Sequence, residues 1–248
     1  MAEAARRVLV VPGLNGHPEL LLRYTPLLFP GWAVRAFDHH QDVAEGGVEG
    51  LASRALRLLE SEQEQVFVCG ESFGGTIALT MARLAPERIS GLILFSAFGW
   101  YPSSLARRGA RALALWSFLG RSVSNRVYRV GRLASLPTQL GLRFPPTLLR
   151  DYLVRPRANM LAYRTKAELS LTFDARPWLG DIECPAFVMI GTWDPVVPAS
   201  AGRDLARRLP RATLRSLRGG HLVHLVNAQR VGRLIEEWAR CVHAGTPQ

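Results

Sequence analysis

The sequence predicts an α/β fold: a doubly wound, mostly parallel sheet of about six strands that carries a helical insertion. Three observations predict it. Short β-branched apolar runs alternate with stretches of helical period in residues 1–97 and again in 179–248. The alternation stops between them, over residues 98–178. Finally, Gly70-Glu71-Ser72-Phe73-Gly74-Gly75 falls between a strand-like run and a helix-like one.

Taken in order, Arg7 to Val11 is a β-branched run closed by Pro12-Gly13, and Trp32 to Phe37 is another that ends in Asp38-His39-His40. Both fit buried parallel strands. Leu20, Leu21, Tyr24, Leu27 and Leu28 recur at helical spacing after the first, and Val48, Leu51, Ala55, Leu58 and Leu59 after the second. A strand follows at 65–69, a helix at 74–84 closed by Ala85-Pro86, and a strand at 89–95. Beyond Ser96 come Arg-rich amphipathic pieces at 103–119, 123–133, 147–153 and 158–169, broken by Gly and Pro. The α/β rhythm resumes with strands at 186–190 and 213–217 and helices at 199–209 and 227–241. The expected organisation is a core of residues 1–97 and 179–248 with an Arg-rich helical cap at 98–178.

With 48% hydrophobic and 21% charged residues in 248, the composition is that of a globular protein able to bury a substantial core. Disordered tails and disulfide scaffolds are excluded as classes. No apolar run approaches the roughly 18 residues of a membrane span, and Pro12 cuts the first one, so neither a transmembrane helix nor a signal peptide is expected. The predicted location is cytoplasmic. Cys69, Cys184 and Cys241 are widely spaced in apolar surroundings, as reduced thiols would be.

The net charge is +11, from 30 Arg, one Lys and 20 acids. Residues 1–97 carry 8 Arg and 11 acids, 98–178 carry 14 basic residues and 3 acids, and 179–248 carry 9 Arg and 6 acids. The insertion therefore holds the whole surplus. It lacks any recognisable nucleic-acid-binding motif, so no nucleic-acid partner is predicted.

Ser72 sits where a strand turns sharply into a helix, a turn that leaves no room for side chains at Gly70 and Gly74 and exposes the hydroxyl. A serine hydroxyl needs a base, and the base an orienting carboxylate. Asp194, in Gly191-Thr192-Trp193-Asp194-Pro195, and His221, in Gly219-Gly220-His221, each follow a predicted strand. All three thus belong to carboxyl ends of sheet strands, where open α/β sheets bind ligands.

These motifs resemble the α/β-hydrolase superfamily, in its cap-bearing branch of small esterases. Gly70 to Gly75 matches the nucleophile elbow, Gly191 to Pro198 the acid loop G-x-x-D-x-x-V-P, and Gly220-His221-Leu222 the histidine loop. The resemblance spans 7–97 and 184–241, and the order Ser, Asp, His is the family's. It implies an α/β-hydrolase fold without the family's N-terminal hairpin and a triad of Ser72, Asp194 and His221. It also implies an oxyanion hole made by the backbone N–H groups of Leu14 and Phe73, and no cofactor. Pro12 stands where the family has His before Gly13, and Asp38-His39-His40-Gln41-Asp42 replaces the family's Asp-x-x-Gly-x-Gly-x-Ser turn.

The predicted function is hydrolysis of a small carboxylic ester through an acyl-enzyme. The same triad serves thioesterases, acyl-carrier methylesterases, acyltransferases and C–C bond hydrolases, and some proteins of this fold are ligand receptors or scaffolds. Within the insertion, Trp116 is expected to line the pocket, and Arg107, Arg108 and Arg111 to meet an anionic substrate or an acidic acyl carrier. A merely solvated basic face is the alternative. His17, His39 and His40 are expected in loops facing solvent or the pocket rim, His224 is expected to pack on the segment after it, and no metal site is predicted.

Overall fold

The computed structural model describes residues 6–62, 65–101, 140, 144–154 and 159–243. Its six strands are β1 Arg7–Val11, β2 Ala33–Ala36, β3 Val66–Glu71, β4 Ile89–Phe95, β5 Ala186–Gly191 and β6 Ala212–Leu217. They form one sheet in the order β2-β1-β3-β4-β5-β6, with every pairing parallel. The chain winds outward from β1 to the edge strand β2, then crosses back to β3. The switch in direction therefore lies between β1 and β3, where the two loops at the carboxyl ends leave a crevice for ligands.

Strand periodicity sorts the side chains onto two faces. Leu9, Val11, Val68, Leu92, Leu94, Val188 and Ile190 join one buried cluster, while Val8, Val10, Phe67, Cys69, Ile93, Phe95, Phe187 and Met189 join the other. Helices cover both. On the second face α1 (Glu19–Leu28) packs against the long C-terminal helix of residues Ala228–His243. On the first lie α2 (Gly47–Arg57) and α3 (Phe73–Leu84). Helix α3 is buried from Phe73 to Ala82 on every side, which its Gly, Ala and Thr content permits: Thr76 and Thr80 return their hydroxyls to the carbonyls of Phe73 and Thr76 at 2.7 and 2.8 Å.

Between β4 and β5 the described residues form α4 (Pro146–Val154) and α5 (Met160–Thr172). The two described ends of this stretch meet where the Ala175 N–H donates to the Gly99 carbonyl at 2.7 Å beside an isolated Trp100–Asp174 bridge. Helix α6 (Ala199–Arg208) packs on β5 and β6, the short α7 (Val223–Val226) follows β6, and the C-terminal helix is α8 (Ala228–His243). The strand expected at 32–37 runs over Ala33–Ala36; the flanking Trp32 and Phe37 rings are buried, and the Phe37 N–H still bonds the Val10 carbonyl at 2.9 Å. No helix among the described residues is long and apolar enough to cross a membrane.

Candidate active site

Ser72 joins β3 to α3 with φ 53° and ψ −118°, a conformation that an L residue adopts only when its surroundings enforce it. Its N–H donates to the Phe95 carbonyl at 2.8 Å, and its carbonyl accepts from the Gly75 N–H at 2.9 Å. A Cβ on Gly70 would lie 2.6 Å from the Gly74 carbonyl oxygen, and one on Gly74 would lie 2.2 Å from that of Val11. The turn thus requires both glycines. Ser72 occupies the N-cap of α3, yet its side chain makes no capping hydrogen bond.

Asp194 follows β5 and His221 follows β6, both with side chains almost fully buried. Asp194 Oδ1 accepts the N–H groups of Val196 and Val197 at 2.8 and 2.9 Å, leaving Oδ2 to His221 Nδ1 at 2.7 Å. The two loops meet because Gly191 has no Cβ, which would sit 2.3 Å from the Gly220 carbonyl oxygen. Burial alone would lower the pKa of His221, but the charge and hydrogen bond of Asp194, joined by the charge of Glu71, outweigh it and raise the imidazole above its ordinary value. Consecutive residues at the end of β4 anchor both partners. Phe95 receives the N–H of Ser72, and the Ser96 hydroxyl donates to the His221 carbonyl at 2.7 Å.

The β1–α1 loop lies against the elbow, since a Cβ on Gly13 would be 3.5 Å from that of Ser72. Leu14 follows in that loop, and Phe73 opens α3. Gly16 donates its N–H to the Gly13 carbonyl at 3.0 Å, and because carbonyl and N–H oppose each other across a trans peptide, the Leu14 N–H points away from that turn. Trp116, Arg107, Arg108 and Arg111 lie outside the described residues.

The remaining histidines make contacts that their sequence patterns did not reveal. His224 is fully buried, stacks on Phe95 at 4.4 Å and brings Nε2 to 3.3 Å from Glu71 Oε2, next to Ser72. Its spacing of three from His221 was the available signal. His39 is 1% exposed, so it does not face solvent; the lone lysine, Lys166, reaches it from α5. His17 is also buried. His17 and His40 stack at 4.0 Å, with Asp38 accepting from His40 Nδ1 at 2.6 Å, and the donor atoms of His17, Asp38 and His40 lie within 4.8 Å of one another. Near-parallel rings aim their in-plane lone pairs side by side and do not converge on one point, a poor geometry for two ligands of one ion.

Comparison with known proteins agrees with the fold. The family model described as alpha/beta hydrolase fold matches residues 53–228. A poly(3-hydroxyalkanoate) depolymerase of Ectopseudomonas oleovorans is 27% identical over 239 residues, which cover 92% of this chain and 82% of that protein. A pimeloyl-[acyl-carrier protein] methyl ester esterase of Photobacterium profundum is 27% identical over 206 residues, covering 81% of this chain and 80% of the esterase. The crystal structure of an enol-lactonase from Burkholderia xenovorans superposes with a TM-score of 0.78 at 19% identity, covering 96% of this chain and 92% of that one.

Proposed function

Since the chain belongs to the alpha/beta hydrolase fold family, we propose that it is a cytoplasmic serine hydrolase that cleaves carboxylic esters through an acyl-enzyme. The observation that carries the reading is the buried His221–Asp194 pair at 2.7 Å, tied through Ser96 and Phe95 to the strained turn that holds Ser72. In the proposed reaction His221 Nε2 takes the Ser72 proton as the oxygen attacks the ester carbonyl. Asp194 keeps the imidazole in the tautomer with Nδ1–H, leaving Nε2 free to accept. The tetrahedral oxyanion is met by the backbone N–H groups of Leu14 and Phe73. His221 then returns the proton to the departing alcohol, and water, activated the same way, releases the acid and restores Ser72. No cofactor enters this scheme.

A fluorophosphonate tests the reading, because it phosphonylates an activated serine. Labelling that vanishes in Ser72→Ala is the expected result; an unlabelled, folded wild type overturns it and favours a receptor or scaffold.

A second reading concerns the substrate and rests on the charge surplus of the proposed cap, residues 98–178, together with the methylesterase likeness. It assigns an anionic acyl group or an acidic acyl carrier as the species that meets Arg107, Arg108 and Arg111. Acidic substitutions there would slow turnover of a carboxylate-bearing ester more than of a neutral one; equal effects would leave the basic face merely solvated.

A further inference from the structure

The chain has a single lysine, and it is fully buried. Lys166 projects from α5 and donates to the His39 carbonyl at 2.7 Å, with Nζ also 3.2 Å from His39 Nδ1. No carboxylate among the described residues pairs with it at salt-bridge distance. On the opposite edge of the ring, His39 Nε2 lies 3.1 Å from the carbonyl oxygen of Pro12.

These neighbours fix the ring chemically. A carbonyl only accepts and an ammonium only donates, so the hydrogen belongs on Nε2, facing Pro12, and the lone pair on Nδ1, facing Lys166. Burial, followed by the charge of Lys166, pushes the pKa of His39 down to about 3, which keeps the ring neutral with one N–H to place. The opposite tautomer would set a lone pair against the Pro12 oxygen and an N–H against the ammonium.

Pro12 is where this bears on the site. Its carbonyl is held by His39, and the next carbonyl, that of Gly13, is held by the N–H of Gly16. Two successive peptide planes are thereby fixed, and the N–H of Leu14 belongs to the second. The same ring packs on Phe37 at 5.3 Å and approaches that of Phe73 at 6.4 Å, so it touches the surroundings of both proposed oxyanion donors.

We propose that Lys166 is a positioning residue that, by fixing the tautomer of His39, holds the Pro12–Leu14 backbone in the orientation the oxyanion donor requires. The proposal rests on the hydrolase reading above. It couples the segment between β4 and β5 to the reaction centre without contact between Lys166 and substrate.

The test compares Lys166→Met, which keeps the length but no donor, with Lys166→Gln, which retains an uncharged donor. Long-range 1H–15N correlation at neutral pH reports the His39 tautomer, assigned by the loss of its signals in His39→Gln. Nitrophenyl ester kinetics report kcat and KM separately. We expect the Nε2–H form alone in wild type and an added Nδ1–H population in Lys166→Met, where only the Pro12 carbonyl still selects. There kcat should fall about tenfold with KM within about twofold, a smaller loss than removal of an oxyanion donor outright, and Lys166→Gln should recover much of it. An unchanged tautomer with unchanged kcat in Lys166→Met overturns the proposal, as does a rise in KM at constant kcat, the signature of substrate packing. Fluorophosphonate labelling separates the two levels: an unlabelled wild type overturns the hydrolase reading and the catalytic purpose assigned to Lys166 with it, whereas a labelled wild type with unimpaired Lys166→Met overturns this proposal alone.

Discussion

Glu71 and His224 form a second carboxylate–imidazole contact behind the first: Oε2 of one lies 3.3 Å from Nε2 of the other, one residue before Ser72 and three after His221. Its consequence is electrostatic. Glu71 adds to the charge and hydrogen bond of Asp194 in raising His221 against the effect of burial.

A base must be neutral to accept a proton, so kcat/KM should fall as pH drops through the His221 pKa, with the acid limb above 6.5. Glu71→Gln removes the charge while still able to hydrogen-bond His224, and should move that limb to lower pH. A pH–rate profile with the limb unmoved would show that Glu71 does not bear on the base.

Asp194→Asn tests the orientation of the pair. Oδ1 already accepts two backbone N–H groups, so the amide must keep its oxygen there and turn its NH2 toward His221 Nδ1. That forces the hydrogen onto Nε2, the atom that should receive the serine proton. A loss in kcat of about 10³ to 10⁴ is expected, with the melting temperature little changed. A loss below about tenfold would mean that Asp194 does not set the tautomer.

What was legible in the sequence, and what was not, follows from how far each signal reaches along the chain. The six strands and the Ser72, Asp194 and His221 loops announce themselves locally, through apolar runs and glycines that a turn requires. The match of the β4 strand, expected and found at 89–95, is of this kind. Lys166 and His39 are 127 residues apart, and Glu71 and His224 153 apart, and no short pattern encodes either contact. His39 misled for a related reason. A polar Asp38-His39-His40 run has the composition of an exposed loop, but Gly16, whose Cβ would lie 2.6 Å from the His40 backbone, lets the β1–α1 loop close over it.

Gly74 separates packing from chemistry at the elbow. A methyl group there would meet the Val11 and Pro12 carbonyl oxygens at 2.2 and 2.6 Å, and backbone cannot yield as a flexible side chain would. Gly74→Ala should cost about 2 kcal/mol or more of stability and abolish labelling of Ser72, whereas Gly180→Ala, with nothing within 4 Å of the new methyl, should stay within about 0.5 kcal/mol of wild type. Chemical denaturation of the two variants reads the difference directly. Equal stabilities would mean that the β1–α1 loop shifts freely and is not seated tightly against the elbow.

Lys166→Met should make the protein more stable as it makes it slower. Burial lowers the lysine to about 8 from 10.5, a shift that Asp42 and Asp38 only partly oppose. Because the folded value lies below the unfolded one, the unfolded chain binds more protons between those limits. Wild-type stability therefore rises with pH across about 8 to 10.5, and below 8 the full penalty stands, on the order of 3 kcal/mol. Methionine removes that penalty and forfeits two hydrogen bonds worth about 1 kcal/mol each. The His39 carbonyl keeps a partner in the Asp42 N–H at 3.1 Å, so of the two acceptors only the buried His39 Nδ1 is left without its donor. A modest gain in melting temperature is expected at pH 7, shrinking and then reversing as the pH approaches 10.5. A destabilised variant at pH 7 with no such trend would mean that the ammonium is stabilised in the fold, and that its burial beside His39 carries no cost for catalysis to justify.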